Sequence, residues 1–470
     1  MRLARVINNS AALLMLDLLS KAVPLVVFPA LVRALGPTAY GKVGFATAVA
    51  GFFGLLASPG FTTYAAREAA KDEGRVNFLV QHVLGARIAF GVLSYALLIA
   101  FALTFAPHDF TTRLLIVLSG LIFLVSSVDV QWVFTARSRM WMVALRGAVG
   151  QLIYGGVILA FIRSPSDAWI VPMAGVASLV AGMFLIWLPA RREYRVPWPV
   201  ISPGVWRTFL PVCLIIGFAS MMSMIYDQID TVMLRYMRSE KELGLYVASY
   251  SMMGISLSFA AILAQVFFPL LSQTTGQDRE QRRENEQRYL GWLWQASIGL
   301  ALPIATGGFI LAEPLTRFVL GSQYSGAGTL FRWLTLTIVA GSMASYFGAR
   351  LIPIGREKKY LTAVVAGAAV NVVLNLFLIP RYGAIAAAFT TAISQAVVAF
   401  SNYYFVRDLP WPNLTGALGL SMMASGVMAA ALLGARSIFP LHVLAQVGLG
   451  ALVYFAVYWA GRALRNRLQI

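Results

Sequence analysis

Five charged side chains lie well inside the first six long apolar stretches of this sequence. Asp17 and Lys21 occur in the first stretch, Arg87 in the third, Asp129 in the fourth and Arg146 in the fifth. A charged side chain at the centre of a membrane-spanning helix costs about 2.5–3.5 kcal/mol on insertion, so such residues normally face other helices or a hydrated cavity. Three cations against two acids predict a cavity that opens inward and binds an anionic headgroup. The structural alternative is pairing between helices, with the extra arginine reaching the inner headgroups.

Four more polar residues lie in later apolar stretches. Asp227 and Asp230 are three residues apart in the seventh stretch and share one helical face. They are predicted to hold a coupling cation or proton, or to form an outer gate with Arg235 or Arg238. Asn371 and Asn375, in the eleventh stretch, are four residues apart. They are predicted either to line a cavity or to form hydrogen bonds between helices.

The composition requires a membrane environment around these residues. Of the 470 residues, 59% are apolar and 12% are charged, whereas soluble domains average about 45–50% and 25%. A soluble enzyme of this length would need far more polar surface. Fourteen spans of roughly 20 residues need about 280 apolar positions, close to the number available. The sequence therefore predicts an all-α polytopic membrane protein.

Fourteen apolar stretches support this prediction, with twelve as the competing number. The sequence has a net charge of +18. Lysines and arginines are about twice as frequent in the connections on the same side of the membrane as the N-terminus as in the connections on the opposite side. By the positive-inside rule this bias predicts a multi-pass membrane protein with an even number of spans and both termini in the cytoplasm. The stretches are 11–32, 41–60, 79–105, 113–134, 141–162, 169–190, 208–234, 245–271, 290–312, 328–351, 361–379, 385–405, 414–434 and 441–461.

No enzyme, metal or nucleic-acid signature accompanies these stretches. The sequence has no metalloprotease, nucleotide-binding or hydrolase motif, so no catalytic residue and no cofactor is predicted. The single cysteine, Cys213, cannot form an internal disulfide and fits no metal-ligand spacing. The longest hydrophilic stretch, 272–288, mixes acids with arginines and is too short for a nucleic-acid domain. The basic charge is therefore assigned to topology.

Three short segments suggest an internal repeat. Outward-facing turns are predicted at Tyr40-Gly41, at Leu243–Tyr246 and at Arg381–Gly383. The first and second would begin two parallel six-helix halves. The predicted organisation is an N-terminal lobe at 1–207, a C-terminal lobe at 208–410 and two extra helices at 411–470.

The same segments carry a family resemblance. The run Arg33-Ala-Leu-Gly-Pro-Thr-Ala-Tyr-Gly41 resembles the opening hairpin of Wzx-type polysaccharide repeat-unit flippases, as does Asp227-Gln-Ile-Asp230 followed by 240–246. The runs 353–359, 371–375 and 379–383 are similar to later spans of that family. The resemblance covers about residues 5–405 and implies the multidrug/oligosaccharidyl-lipid/polysaccharide (MOP) superfamily fold, with two six-helix lobes around a central cavity.

The resemblance also implies a substrate and partners. It implies alternating-access transport of undecaprenyl-diphosphate-linked oligosaccharide from the inner to the outer leaflet of a bacterial-type inner (cytoplasmic) membrane. It also implies that Lys21, Arg87 and Arg146 bind the diphosphate. Membrane lipids, a polysaccharide polymerase and a chain-length regulator are implied partners. The alternatives are a drug/cation antiporter, which should expose carboxylates in its first lobe, and a glycan polymerase or ligase, which should carry a long catalytic outer loop.

Overall fold

The computed structural model describes residues 2–193, 198–273, 279–351, 354–438 and 441–468. Its regular structure over these ranges is helical, without a strand, which confirms the all-α prediction. The chain divides into two compact units, Met1–Val232 and Met233–Ile470. The predicted lobe boundaries at 207 and 410 stay predictions.

The first unit contains seven complete helices and most of an eighth. These are α1 (Arg2–Ala57), α2 (Phe61–Lys71), α3 (Val76–Thr104), α4 (Phe110–Ser127), α5 (Gln131–Ala136), α6 (Met140–Phe161), α7 (Ile170–Glu193) and α8 (Pro203–Met237).

The second unit begins within the last turns of α8. Its helices are α9 (Glu240–Gln273), α10 (Arg279–Ile310), α11 (Ala312–Leu320), α12 (Ala327–Leu351), α13 (Glu357–Tyr382), α14 (Ala384–Val406), α15 (Thr415–Ile438) and α16 (Val443–Leu468).

Eleven helices of the described chain are long and apolar enough to cross a membrane. Many of their large side chains face outward, among them Phe161, Phe184 and Leu452, which are 65%, 65% and 73% exposed. Continuous apolar surface of this kind requires lipid rather than water. The multi-pass prediction is therefore confirmed, whereas the number fourteen stays a prediction.

The first predicted outer turn lies elsewhere in the structure. Tyr40 and Gly41 are helical, and the helical backbone of α1 is broken at Gly36, with φ 70° and ψ 169°. A positive φ favours glycine because it has no Cβ, and Pro37 suits a helix start because it lacks an N–H group. Tyr40 is 8% exposed and its ring meets that of Phe28 edge-on at 6.2 Å. The aromatic residue therefore anchors a buried helix rather than a turn.

The other two predicted turns have different outcomes. Leu243 and Tyr246 are fully buried within α9, so the turn prediction is wrong there and the chain reverses between Met237 and Glu240. The third prediction is confirmed, because Gly383 separates α13 from α14 with φ 63°. The Glu242 carboxylate accepts the Ala384 N–H group at 2.6 Å and so caps α14.

A salt bridge joins two predicted outer segments of the first unit. Lys42 donates to Asp109 Oδ2 at 2.6 Å, and Asp109 also caps α4 by accepting the Thr112 N–H group at 3.0 Å. Burial alone would raise the pKa of Asp109, but hydrogen bonds from Lys42 and Thr112 outweigh it and lower the pKa to about 2. The ordinary value is 3.8.

This shift predicts an acid-dependent loss of stability. Because the folded-state pKa lies below the unfolded value, Asp109 stabilises the fold above about pH 4, and the contribution disappears as the pH falls through about 2. We expect Asp109→Asn to lower the unfolding midpoint at pH 5 and to match the wild-type chain near pH 2. Thermal unfolding in detergent measures this, with Glu357→Gln as an exposed control. A deficit that does not change between pH 5 and pH 2 would contradict the assignment.

Candidate functional site

The fourth predicted stretch, 113–134, is not one continuous helix. Its helix α4 ends at Ser127 and α5 begins at Gln131. The last carbonyl groups of a helix have no partner within it, so they need donors from elsewhere. The prediction of an unbroken span is wrong here, and the break creates a polar site inside apolar sequence.

Arg87 supplies donors to the carbonyl groups at this break. It lies on α3, is 5% exposed, and donates through Nη1 to the Asp129 carbonyl oxygen at 2.6 Å and through Nη2 to that of Ser126. The Trp187 indole N–H group on α7 donates to the Val128 carbonyl oxygen at 2.9 Å. Arg87 therefore acts as a side-chain cap that holds α3 against α4.

The Asp129 carboxylate binds a second arginine. Its Oδ2 atom lies 2.5 Å from Arg146 Nη2 on α6, and Oδ1 accepts the Gln131 N–H group at 2.8 Å. Arg146 also donates to the Gln131 side chain. The side chains of Arg146 and Asp129 are 15% and 13% exposed. The pair is therefore largely desolvated, and its attraction is stronger than at a surface.

We name Arg87, Asp129, Gln131 and Arg146 the break site. Two guanidinium groups and one carboxylate give it a net positive charge at neutral pH. The structure thus brings together three of the five predicted cavity residues, on α3, on α6 and at the α4–α5 break. A site of this charge can attract an anion, and an anion would relieve the repulsion between its two arginines.

A glycine allows Arg146 to reach the break. At Gly182 on α7, a Cβ atom would lie 2.9 Å from Arg146 Cγ and 3.3 Å from its Nε. Any larger side chain would displace the arginine stem. Gly182 is therefore a positioning residue that the sequence did not single out.

Lys21 lies on α1, which packs against the helix α6 that carries Arg146. A Cβ atom at Gly155 on α6 would lie 2.8 Å from side-chain carbons of Val23 and Val27, so these levels of α1 and α6 coincide. At 1.5 Å per residue, Lys21 lies about 7 Å from Arg146 along the helix axes. Lys21 is partly buried. Asp17 belongs to α1, but its side chain lies outside the described residues.

The predicted gate residues Asp227 and Asp230 differ in exposure. Both lie on α8, where Asp227 is exposed and Asp230 is fully buried. Asp230 Oδ1 accepts the Thr231 N–H group at 2.7 Å. The two carboxylates therefore occupy different environments, and only Asp227 is open to a mobile ion.

Asn371 and Asn375 form a buried chain with a residue that the sequence did not indicate. Asn375 donates to Asn371 Oδ1 at 2.9 Å, and Thr390 on α14 donates to Asn375 Oδ1 at 2.5 Å. Both asparagines are 0% exposed. These hydrogen bonds join α13 to α14, as the alternative of hydrogen bonding between helices predicts. A cavity-lining role stays a prediction.

The second unit also contains a buried arginine, which is not among the candidate residues of the sequence. Arg350 is 4% exposed in the last turn of α12. It donates to the Pro410 carbonyl oxygen at 2.8 Å and lies 4.6 Å from the Trp411 ring centroid. The sequence carries no signal for these partners, because the connection that supplies them lies 60 residues away.

Cofactor and metal sites were not predicted. The described residues contain no group of three or more histidine, cysteine, aspartate or glutamate side chains able to hold a metal ion. Cys213 is buried in the apolar core of the first unit.

Comparison with known proteins identifies two matching family models, two informative relatives and one solved structure of similar fold. The model described as polysaccharide biosynthesis protein matches residues 6–275, and MatE matches residues 216–377. The probable low-salt glycan biosynthesis flippase Agl15 of Haloferax volcanii is 22% identical over 50% of this chain, which spans about half (49%) of that relative. The putative O-antigen transporter of Escherichia coli K12 is 21% identical over 82% of this chain and 92% of its own length.

A solved structure agrees with the fold. The lipid II flippase MurJ in an inward closed conformation superimposes with a TM-score of 0.70 and 15% identity, over 99% of this chain and 100% of that chain. At this identity the likeness concerns the fold alone. The first family model covers more than half of the sequence, so the chain belongs to the polysaccharide biosynthesis protein family and has the fold of MOP superfamily transporters.

Proposed function

We propose that this chain is a flippase for lipid-linked oligosaccharides. It moves undecaprenyl-diphosphate-linked repeat units from the inner to the outer leaflet of the cytoplasmic membrane, for surface polysaccharide synthesis. The observation that carries the proposal is the break site, where the buried Arg87 and the partly buried pair of Arg146 and Asp129 lie in the apolar part of the first unit. The names of the glycan flippase and O-antigen transporter relatives support the same substrate class.

The chemistry of the site suits a diphosphate. Guanidinium groups form paired, charge-assisted hydrogen bonds with phosphate oxygens. Arg146 can exchange Asp129 for a phosphate, whereas Arg87 is held by two backbone carbonyl groups. We therefore assign the direct contact to Arg146 and Lys21 and the shaping of the site to Arg87. Alternating access then carries the sugar across, while the polyprenyl chain stays in lipid.

Export from cells tests the proposal. In a strain that lacks its own repeat-unit flippase, expression of this chain is expected to restore surface polysaccharide and to reduce accumulated lipid-linked repeat units. Lectin labelling of intact cells and mass spectrometry of extracted lipids measure the two quantities. The opposite result would be unchanged accumulation together with efflux of cationic drugs, the activity of the drug/cation antiporter alternative.

Ion coupling is assigned to the exposed carboxylate of α8. We expect Asp227→Asn to remove the dependence of export on the sodium or proton gradient, because the neutral amide cannot bind the ion as a carboxylate does. Export is measured while each gradient is collapsed in turn with a selective ionophore. Asp230→Asn tests the buried neighbour, and Glu357→Gln is the control. Unchanged gradient dependence in the Asp227 variant would rule out this role.

A further inference from the structure

A groove separates α1 from α6 near their predicted outer ends. It has a volume of about 370 Å³, and six of its eight lining residues are apolar. Leu31 on α1 and Ile158 on α6 are 6% and 1% exposed and form its floor, whereas Leu159 is 41% exposed at the edge. Ala30 is exposed as well, so the groove is open at the surface of the first unit.

Two arginines border the groove at one end. Arg33 lies on α1 just before the Gly36 break, and Arg163 follows the end of α6. Both side chains are exposed, and the residues that line the groove include no carboxylate. The groove therefore combines an apolar floor with a cationic end.

The acidic residue nearest to Arg163 along the chain is Asp167, and its carboxylate already accepts backbone hydrogen bonds. Asp167 Oδ2 accepts the backbone N–H groups of Arg163 at 3.0 Å and Ser164 at 2.8 Å. These hydrogen bonds hold the pKa of Asp167 below its usual range. They also fix the backbone that carries Arg163. Within the described parts of the chain, the Arg163 side chain forms no ion pair.

Cations are unusual on this side of the membrane. The positive-inside rule disfavours arginine in outer connections, yet two of them border one groove. Arginine is the residue best suited to a phosphate group because its planar guanidinium donates two parallel hydrogen bonds. A zwitterionic headgroup would bring an ammonium group toward two guanidinium groups, whereas an anionic headgroup would not.

We propose that this groove binds an anionic phospholipid of the outer leaflet. The phosphodiester lies between Arg33 and Arg163, and one acyl chain follows the apolar floor past Leu159. An inorganic anion would leave that apolar floor uncovered, whereas an acyl chain covers it by van der Waals packing. The site is separate from the break site, and the inference does not depend on the transported substrate.

Lipid retention by the purified full-length chain tests this site. Native mass spectrometry compares phosphatidylglycerol with phosphatidylcholine of the same acyl chains. The wild-type chain is expected to retain phosphatidylglycerol at least tenfold better, and Arg33→Gln/Arg163→Gln is expected to lose this preference. Arg317→Gln/Arg381→Gln removes two other outer arginines and should keep it. Ala30→Trp fills the groove without changing its charge and should also abolish retention.

Three results would overturn the proposal. Equal retention of both lipids would show that the two arginines do not select an anionic headgroup. Full retention by Ala30→Trp would show that the lipid binds outside the groove. Displacement of phosphatidylglycerol by equimolar farnesyl diphosphate would mean that the groove holds the isoprenoid carrier instead. Export measured in the same variants distinguishes the two proposals, because loss of lipid retention with normal export leaves the flippase function intact.

Discussion

Replacing Arg87 with leucine is expected to lower the free energy of unfolding by about 3–6 kcal/mol, because two hydrogen bonds from a charged group are lost. The substitution leaves the carbonyl oxygens of Ser126 and Asp129 without their donor in an apolar environment. Each hydrogen bond from a charged group contributes about 1.5–3 kcal/mol. Lysine at position 87 is expected to recover only part of the loss, because one ammonium group lacks the fork of donors that spans both carbonyl groups.

Thermal unfolding in detergent and the yield of protein in membranes measure this effect. Arg207→Leu removes an exposed arginine from the same unit and should change neither quantity. A stable Arg87→Leu protein that has lost export would contradict the structural assignment. In that case Arg87 would be a substrate-binding residue, as the family resemblance implies.

Removing the positive charge of Arg146 is expected to reduce export at least tenfold. One lost charge-assisted hydrogen bond corresponds to about 1.5–3 kcal/mol, and about 1.4 kcal/mol is a factor of ten. Arg146→Gln also leaves Asp129 buried without its cation, so the single variant mixes transport with stability. The double variant Arg146→Gln/Asp129→Asn removes the pair and keeps the net charge of the break site unchanged.

The double variant separates the two effects. We expect it to recover most of the stability of the wild-type chain and still to fail in export, because transport needs Arg146 itself. Lys21→Gln is expected to show the same export defect, and Lys358→Gln, an exposed cation, should export normally. Surface polysaccharide per molecule of membrane protein is the measured quantity. Normal export by the double variant would exclude Arg146 as a substrate ligand.

Part of the break site follows from the sequence because a charge inside an apolar stretch is costly. That cost alone indicates Arg87, Asp129 and Arg146 as residues that must face a polar partner. Which of them meet depends on how each helix is rotated about its axis, and the sequence pattern does not determine this. The carbonyl partners of Arg87 are also hidden, because residues 127–131 contain neither glycine nor proline to indicate a helix end.

Some turns and buried residues follow from the local sequence, whereas others depend on tertiary contacts. Gly383 is predictable because it lies between two apolar stretches and has the positive φ that glycine tolerates. Tyr40-Gly41 misleads because both residues are helical, and the helical backbone is broken at Gly36 instead. Arg350 looks like an ordinary inward-facing cation until the chain near Pro410 folds back over it. Tertiary contacts therefore decide the functional meaning of residues that look alike in sequence.

The most direct measurement follows translocation in a purified system. The chain is reconstituted in vesicles with a lipid-diphosphate-linked oligosaccharide in both leaflets, and an external glycosidase reports the fraction that reaches the outside. We predict that the wild-type chain makes nearly all of the substrate accessible, whereas Arg146→Gln/Asp129→Asn leaves the inner pool protected. Protection of the inner pool by both proteins, with each shown to be folded, would contradict the flippase function.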